Sequence, residues 1–217
     1  MAGLPHFGQK PAAFSWRAFV EYLKTNPVFL AYCLTSALWN FSLNVSGPFF
    51  APYQVNVLNA TATMVGILAI VSQISALVSQ HPFGILADRW GPRRVVLVTG
   101  LFIPLLPFVW IFITDVRQAI PVNLFGGALW AGYSLASFNY LLTLTPENQR
   151  ARFSAIYQII VALSLSAGAA VGSLIISQWD YNAVFAASGF GRLAAALLFA
   201  FFVRPDKVKS KADATAQ

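Results

Sequence analysis

Six long apolar runs, separated by short polar stretches, constrain this chain more than any other feature. They extend over residues 27–49, 63–85, 94–114, 119–145, 153–176 and 182–203. A hydrocarbon core of ~30 Å takes about 20 helical residues, and its interior leaves no backbone group free to bond water, so such runs cross it as helices. Charge is correspondingly scarce. Only 10% of the 217 residues are charged and 58% are hydrophobic, where a soluble domain carries about 25% charged residues. The expected fold class is an all-α membrane protein with six transmembrane helices filling residues 27–203.

The flanks read differently. Residues 1–26 form a cytoplasmic tail and an amphipathic lead-in helix. Phe19, Tyr22 and Leu23 share one of its faces, and Arg17, Glu21 and Lys24 the other. Residues 204–217 are a polar, basic cytoplasmic tail, expected to be disordered. No apolar core followed by a small-residue cleavage site opens the chain, so no cleavable signal peptide is expected.

The net charge of +7 reports topology, not nucleic-acid binding. Lys10, Arg17 and Lys24, then Arg89, Arg93 and Arg94, then Arg150 and Arg152, then Arg204, Lys207, Lys209 and Lys211 all fall on one side of a six-span path. Arg117 alone lies opposite. The positive-inside rule puts both termini and the 84–94 stretch in the cytoplasm, with the chain in the plasma (inner) membrane. Cys33 is the single cysteine, and His6 and His81 are isolated. No spacing suits a metal, no cofactor motif occurs, and no Ser/His/Asp set lies at membrane depth. The expectation is not an enzyme, with no catalytic, cofactor or metal residues.

An internal echo is visible. Ala37-Leu38-Trp39 in the first run recurs as Ala128-Leu129-Trp130 in the fourth, each followed by a Ser-Leu pair, at Ser42-Leu43 and Ser134-Leu135. The first and fourth spans cross in opposite directions, as a 3+3 inverted repeat requires.

One compact cluster of charge lies between two apolar runs: Gly84-Ile85-Leu86-Ala87-Asp88-Arg89-Trp90-Gly91-Pro92-Arg93-Arg94. It reads as a tight loop between the second and third spans. Gly84 would allow close helix approach and Gly91 a sharp reversal. Asp88 suits the positive end of a neighbouring helix, and Arg89, Arg93 and Arg94 suit carboxylates or lipid phosphates. The plainer reading is a topology signal alone. The stretch resembles the signature loop between the second and third helices of each half of major facilitator superfamily transporters. Pro92 departs from that pattern, where a basic residue often follows the second glycine.

The resemblance covers residues 15–205. It implies half of a twelve-helix bundle, the carboxy-terminal half given the amphipathic lead-in and the basic tail. It implies transport of a small solute by alternating access, with Gly84, Asp88, Arg89, Gly91, Arg93 and Arg94 as a gating latch. The implied partners are a small-molecule substrate, the lipid bilayer and a second six-helix half, from the same gene product or a second copy. The alternative is a non-transporting or truncated membrane protein, or an assembly subunit that needs such a half.

In that family the first and fourth helices of each half line the central path. Here Ser36, Asn40 and Asn44 recur every four residues with Trp39 beside them, and Trp130, Tyr133, Ser137 and Tyr140 follow helical spacing. Uncharged polar and aromatic groups suit a neutral or amphipathic solute. Each residue taken singly has a plainer role as interhelical glue, at ~0.6 kcal/mol. Arg192 is the one charge well inside a span, with no acidic residue at matching depth in the other five. It reads as a substrate or anion contact, or as a structural arginine bonded to neighbouring carbonyls and hydroxyls.

Overall fold

A computed structural model describes residues 26–145 and 147–203. The lead-in helix (apart from Asn26) and the basic tail lie outside them. Among the described residues there is no strand. The chain is an all-α membrane protein. Its helices are α1 (Pro27–Ser46), α2 (Phe50–Asn56), α3 (Ala62–Trp90), α4 (Pro92–Phe102), α5 (Leu105–Ile111), α6 (Ala119–Leu144), α7 (Arg150–Gln178) and α8 (Tyr181–Phe202).

Among the described residues, five helical paths are long and apolar enough to cross a membrane: Pro27–Asn56, Ala62–Trp90, Pro92–Ile111, Arg150–Gln178 and Tyr181–Phe202. The 26-residue α6 has the length and carries no charged residue, but its most apolar stretch is less hydropathic than those of the five. Asn123, Ser134, Ser137 and Asn139 dilute its apolar residues.

Prolines and caps set the boundaries. Pro27 occupies the first turn of α1, where a missing N–H costs nothing. Gly47-Pro48 turns the path into a short 3-10 segment, Gly47–Phe49, and α2 then carries the first path seven residues beyond the expected end. Ile103 and Pro104 separate α4 from α5, because Pro104 cannot donate to the ladder. Thr61 caps α3 by accepting from Met64 N, and Asp180 caps α8 by accepting from Ala183 N.

Helix pairing has two-fold symmetry. α1 packs on α7 and α8, α6 packs on α3 and on α4–α5, and α4–α5 pack on α8. Exchanging first with fourth, second with fifth and third with sixth paths turns each pairing into another of the set. That is the pattern of a 3+3 inverted repeat. Trp39 and Trp130, the two tryptophans of the sequence echo, meet edge to face with ring centroids 6.3 Å apart. Residues related by a two-fold operation touch one another only near its axis.

Three apolar clusters stack through the bundle. The first joins the start of α1 to the ends of α6 and α8, with Phe29, Leu141 and Val203. The middle one holds Trp39, Ile103, Ala195 and Ala196. The third, at the opposite end, holds Tyr53, Trp110 and Phe185. Glycines set the tightest approaches. A Cβ on Gly168 or Gly172 of α7 would fall against the carbonyl oxygens of Phe41 and Val45 in α1, and one on Gly127 of α6 against that of Ser72 in α3. The outer faces of α3 and α7 remain bare, with Ile70, Ile74, Leu77 and Val78 on one and Ile159, Leu163 and Leu174 on the other.

Candidate functional site

The charged stretch after the second span is mostly helix, which corrects the expected loop. α3 runs on through Gly84, Asp88 and Arg89 to Trp90, and α4 begins at Pro92. Gly91 alone reverses the chain, at φ +83, a backbone conformation costly to any residue with a Cβ. Pro92, the departure from the expected basic residue, fills the first turn of α4. Nothing blocks a helix from 84 to 90. Its lone glycine is tolerable, and an added Cβ at Gly84 would meet Leu135 at an ordinary 3.8 Å.

Arg93 is partly buried. Its Nη2 donates to Ala200 O at 3.1 Å and its Nε to Val203 O. It thus satisfies carbonyls in the last turn of α8, where a cation also suits the helix dipole. Among the described residues it meets these backbone carbonyls, not a carboxylate. Asp88, Arg89 and Arg94 are exposed. Asp88 makes no hydrogen bond or ion pair among the described residues.

The first and fourth paths divide the remaining candidates. Ser36, Trp39 and Tyr133 line a cavity of about 20 Å³ with Tyr32, Thr35 and residues of α4 and α8. That space suits a single water, not a solute. Trp39 stacks on Tyr133 at 4.6 Å. Ser137 accepts from Tyr32 Oη through its carbonyl at 2.9 Å, and its hydroxyl shares a bond with the same oxygen at 2.8 Å. Tyr140 sits edge-on to Tyr32 at 5.5 Å. These contacts close α1 against α6 toward the Gly91 end. Asn40 donates to Ser36 O within its own helix, and Asn44 donates to Leu165 O of α7. The regular spacing of the two amides therefore serves the backbone and a neighbouring helix. Asn40, Asn44, Ser137 and Tyr140 line neither this cavity nor the larger one.

The larger cavity, of about 300 Å³, opens between the same paths toward the end remote from Gly91. Its walls include Leu43, Gln54, Asn123, Trp130 and Arg192. Arg192 is 3% exposed. Its Nη2 donates to Leu43 O at 3.3 Å and to Ser46 Oγ at 2.8 Å. Ser46 in turn donates to Ser188 Oγ, and Ser188 to Ser42 O. This chain of hydroxyls ties α1 to α8. Gln54 and Asn123 escape a sequence reading because single amides near helix ends look like interfacial residues. The only signal was their position on the faces that continue Leu43–Gly47 and Trp130 by helical spacing.

The described residues contain no group of three or more histidine, cysteine or acidic side chains placed to hold a metal.

The profile of the Major Facilitator Superfamily matches residues 9–217. An uncharacterized MFS-type transporter of Methanocaldococcus jannaschii is 21% identical over 151 residues, which cover 70% of this chain and 39% of the relative. An uncharacterized transporter of Buchnera aphidicola is 23% identical over 182 residues, covering 81% and 45%. A lactose permease of Klebsiella pneumoniae is 28% identical over 109 residues, covering 49% and 81%. The chain spans less than half the length of the first two relatives.

Proposed function

The chain belongs to the Major Facilitator Superfamily, and on that premise we propose that it moves a small solute across a membrane by alternating access. The observation that carries the proposal is the cavity of about 300 Å³ between the first and fourth paths, the size of a small-ligand site. On the Gly91 side Trp39, edge-on to Trp130 and stacked on Tyr133, separates it from the contact of Tyr32 with Ser137. A compartment open toward one end and closed at the other is one of the two states that alternating access needs.

Six spanning helices complete the reading, and the positive-inside pattern puts both termini in the cytoplasm. A second six-helix half covers α3 and α7. The greater length of the relatives supports that partner, and the bare faces of these helices leave room for it. The signature stretch acts as the latch between halves, a reading supported by the exposure of Asp88 and its lack of a partner among the described residues.

Reconstitution tests the proposal. The complete transporter in proteoliposomes, screened for counterflow of labelled sugars, amino acids and organic acids, should show saturable exchange of at least one solute. Trp130→Ala should raise the KM for that solute while thermal stability stays close to that of the parent. Absence of counterflow, together with no solute-induced shift in Tm across the same library, would favour the alternative of a non-transporting membrane subunit.

A further inference from the structure

Among the described residues, Arg192 is the only charged side chain lining the larger cavity. No aspartate or glutamate occurs within the other spanning paths except Asp88, which is exposed at the far end of α3. A charge at membrane depth is costly, and hydrogen bonds to neutral groups leave that charge unneutralised. Arg192 spends one nitrogen, Nη2, on α1. Its Nε is buried without a partner. The guanidinium therefore retains both an uncompensated charge and unused donors.

The same cavity holds a second unsatisfied group. Gln54 is 7% exposed and its Oε1 is buried without a partner. Asn123 spends its Nδ2 on Ala119 O, which leaves its own carbonyl as an acceptor. Gln54 Oε1 is a buried orphan acceptor, which is costly, and the Asn123 carbonyl is a second acceptor in the same cavity as the cation, an arrangement that suits a complementary ligand better than a settled core. Trp110 and Trp130 supply flat apolar walls.

We propose that this cavity binds a small organic monocarboxylate, its carboxylate on Arg192 and a hydroxyl or amide N–H on Gln54 and Asn123. A single cation, with no second one lining the cavity, matches one negative charge. A phosphate dianion would be left half-neutralised in a poorly polar surround. The tryptophan walls ask for an apolar body. The site deepens the transport reading above by naming its substrate class, and it departs from the neutral solute that the uncharged first and fourth helices suggest.

Paired acids and amides test it: lactate against lactamide and mandelate against mandelamide, titrated at constant ionic strength into the complete protein in lipid nanodiscs. Binding is read by quenching of tryptophan fluorescence. The wild type should bind the acid of at least one pair about tenfold or more tightly than its amide. Arg192→Gln should bring that ratio to about one. Because Arg192 also ties α1 to α8, circular dichroism and Tm must accompany this variant. Gln54→Leu and Asn123→Leu, which do not touch the α1–α8 tie, should weaken the hydroxy acid while preserving its preference over the amide. Equal binding of acid and amide by the wild type, no binding of either pair, or a ratio that survives in folded Arg192→Gln would each overturn the proposal. Counterflow separates the two readings. Transport of a neutral solute without acid binding sinks the carboxylate site alone, while acid binding without any transport sinks the transporter reading alone.

Discussion

Among single residues, the glycines divide into those that fill a steric need and those that do not. Gly127 faces the carbonyl of Ser72, which is backbone and cannot rotate away. Gly127→Ala should therefore force α6 from α3 and lower stability by about 1–3 kcal/mol, read as a fall in Tm in detergent micelles. Gly66→Ala is the control, since nothing lies within 4 Å of its added Cβ. There the better helix propensity should hold or raise Tm. Equal behaviour of the two variants would sink the packing argument. The seam at Gly168 and Gly172 was legible in the sequence, because small residues four apart in an apolar run have few other uses. The fate of Asn40 and Asn44 was not. Spacing puts two amides on one side of a helix, but whether that side meets a cavity or the backbone of α7 depends on how the helices rotate against each other.

At the level of the helix, the junction of α3 and α4 shows how little is needed to reverse a chain. One residue with a positive φ and one proline do it. The sequence pointed to the position and exaggerated the length of the turn, since charge was read as loop. Asp88 and Arg89 are ordinary helix residues once water is near. Arg93 fastens this junction to the end of α8. Arg93→Ala should release the carbonyls of Ala200 and Val203 and cost about 1 kcal/mol. Hydrogen exchange should quicken at the amides of the last turn of α8 and stay unchanged in α6. Unaltered exchange in that turn would show that the two bonds do not hold it. No periodicity in the sequence reports such a long-range cap, because one partner is backbone and carries no residue-type signal.

In the whole bundle, the two-fold pairing of helices sets a closed end against an open one. Tyr32 and Ser137 join the first and fourth paths toward one end, and the Arg192 cavity parts them toward the other. A latch at Asp88 would bias that balance from outside the cavity. In the complete transporter with Cys33→Ser, a cysteine placed at Asn123 reports access from the end remote from Gly91. Asp88→Asn should change the labelling rate of that cysteine by an impermeant maleimide without changing the amount inserted in the membrane. Equal labelling in mutant and parent would remove the latch. The six runs, their order and the twinned tryptophans were readable from the chain alone. The cavity was not, since it is bounded by five helical paths and no one of them carries its pattern.

The bare faces of α3 and α7 have a further meaning once the solvent is lipid. In water, rows of isoleucine and leucine would seek any cover. Acyl chains already provide it, so greasiness gives a partner helix no advantage over a phospholipid. Whatever docks there must win by contour, atom against atom, or by the few polar groups along the rim. A search for the companion surface is then a search for a matching relief, and substitutions that reshape these faces at constant hydrophobicity, such as Leu77→Ile or Leu163→Ile, probe it more directly than any that make them polar.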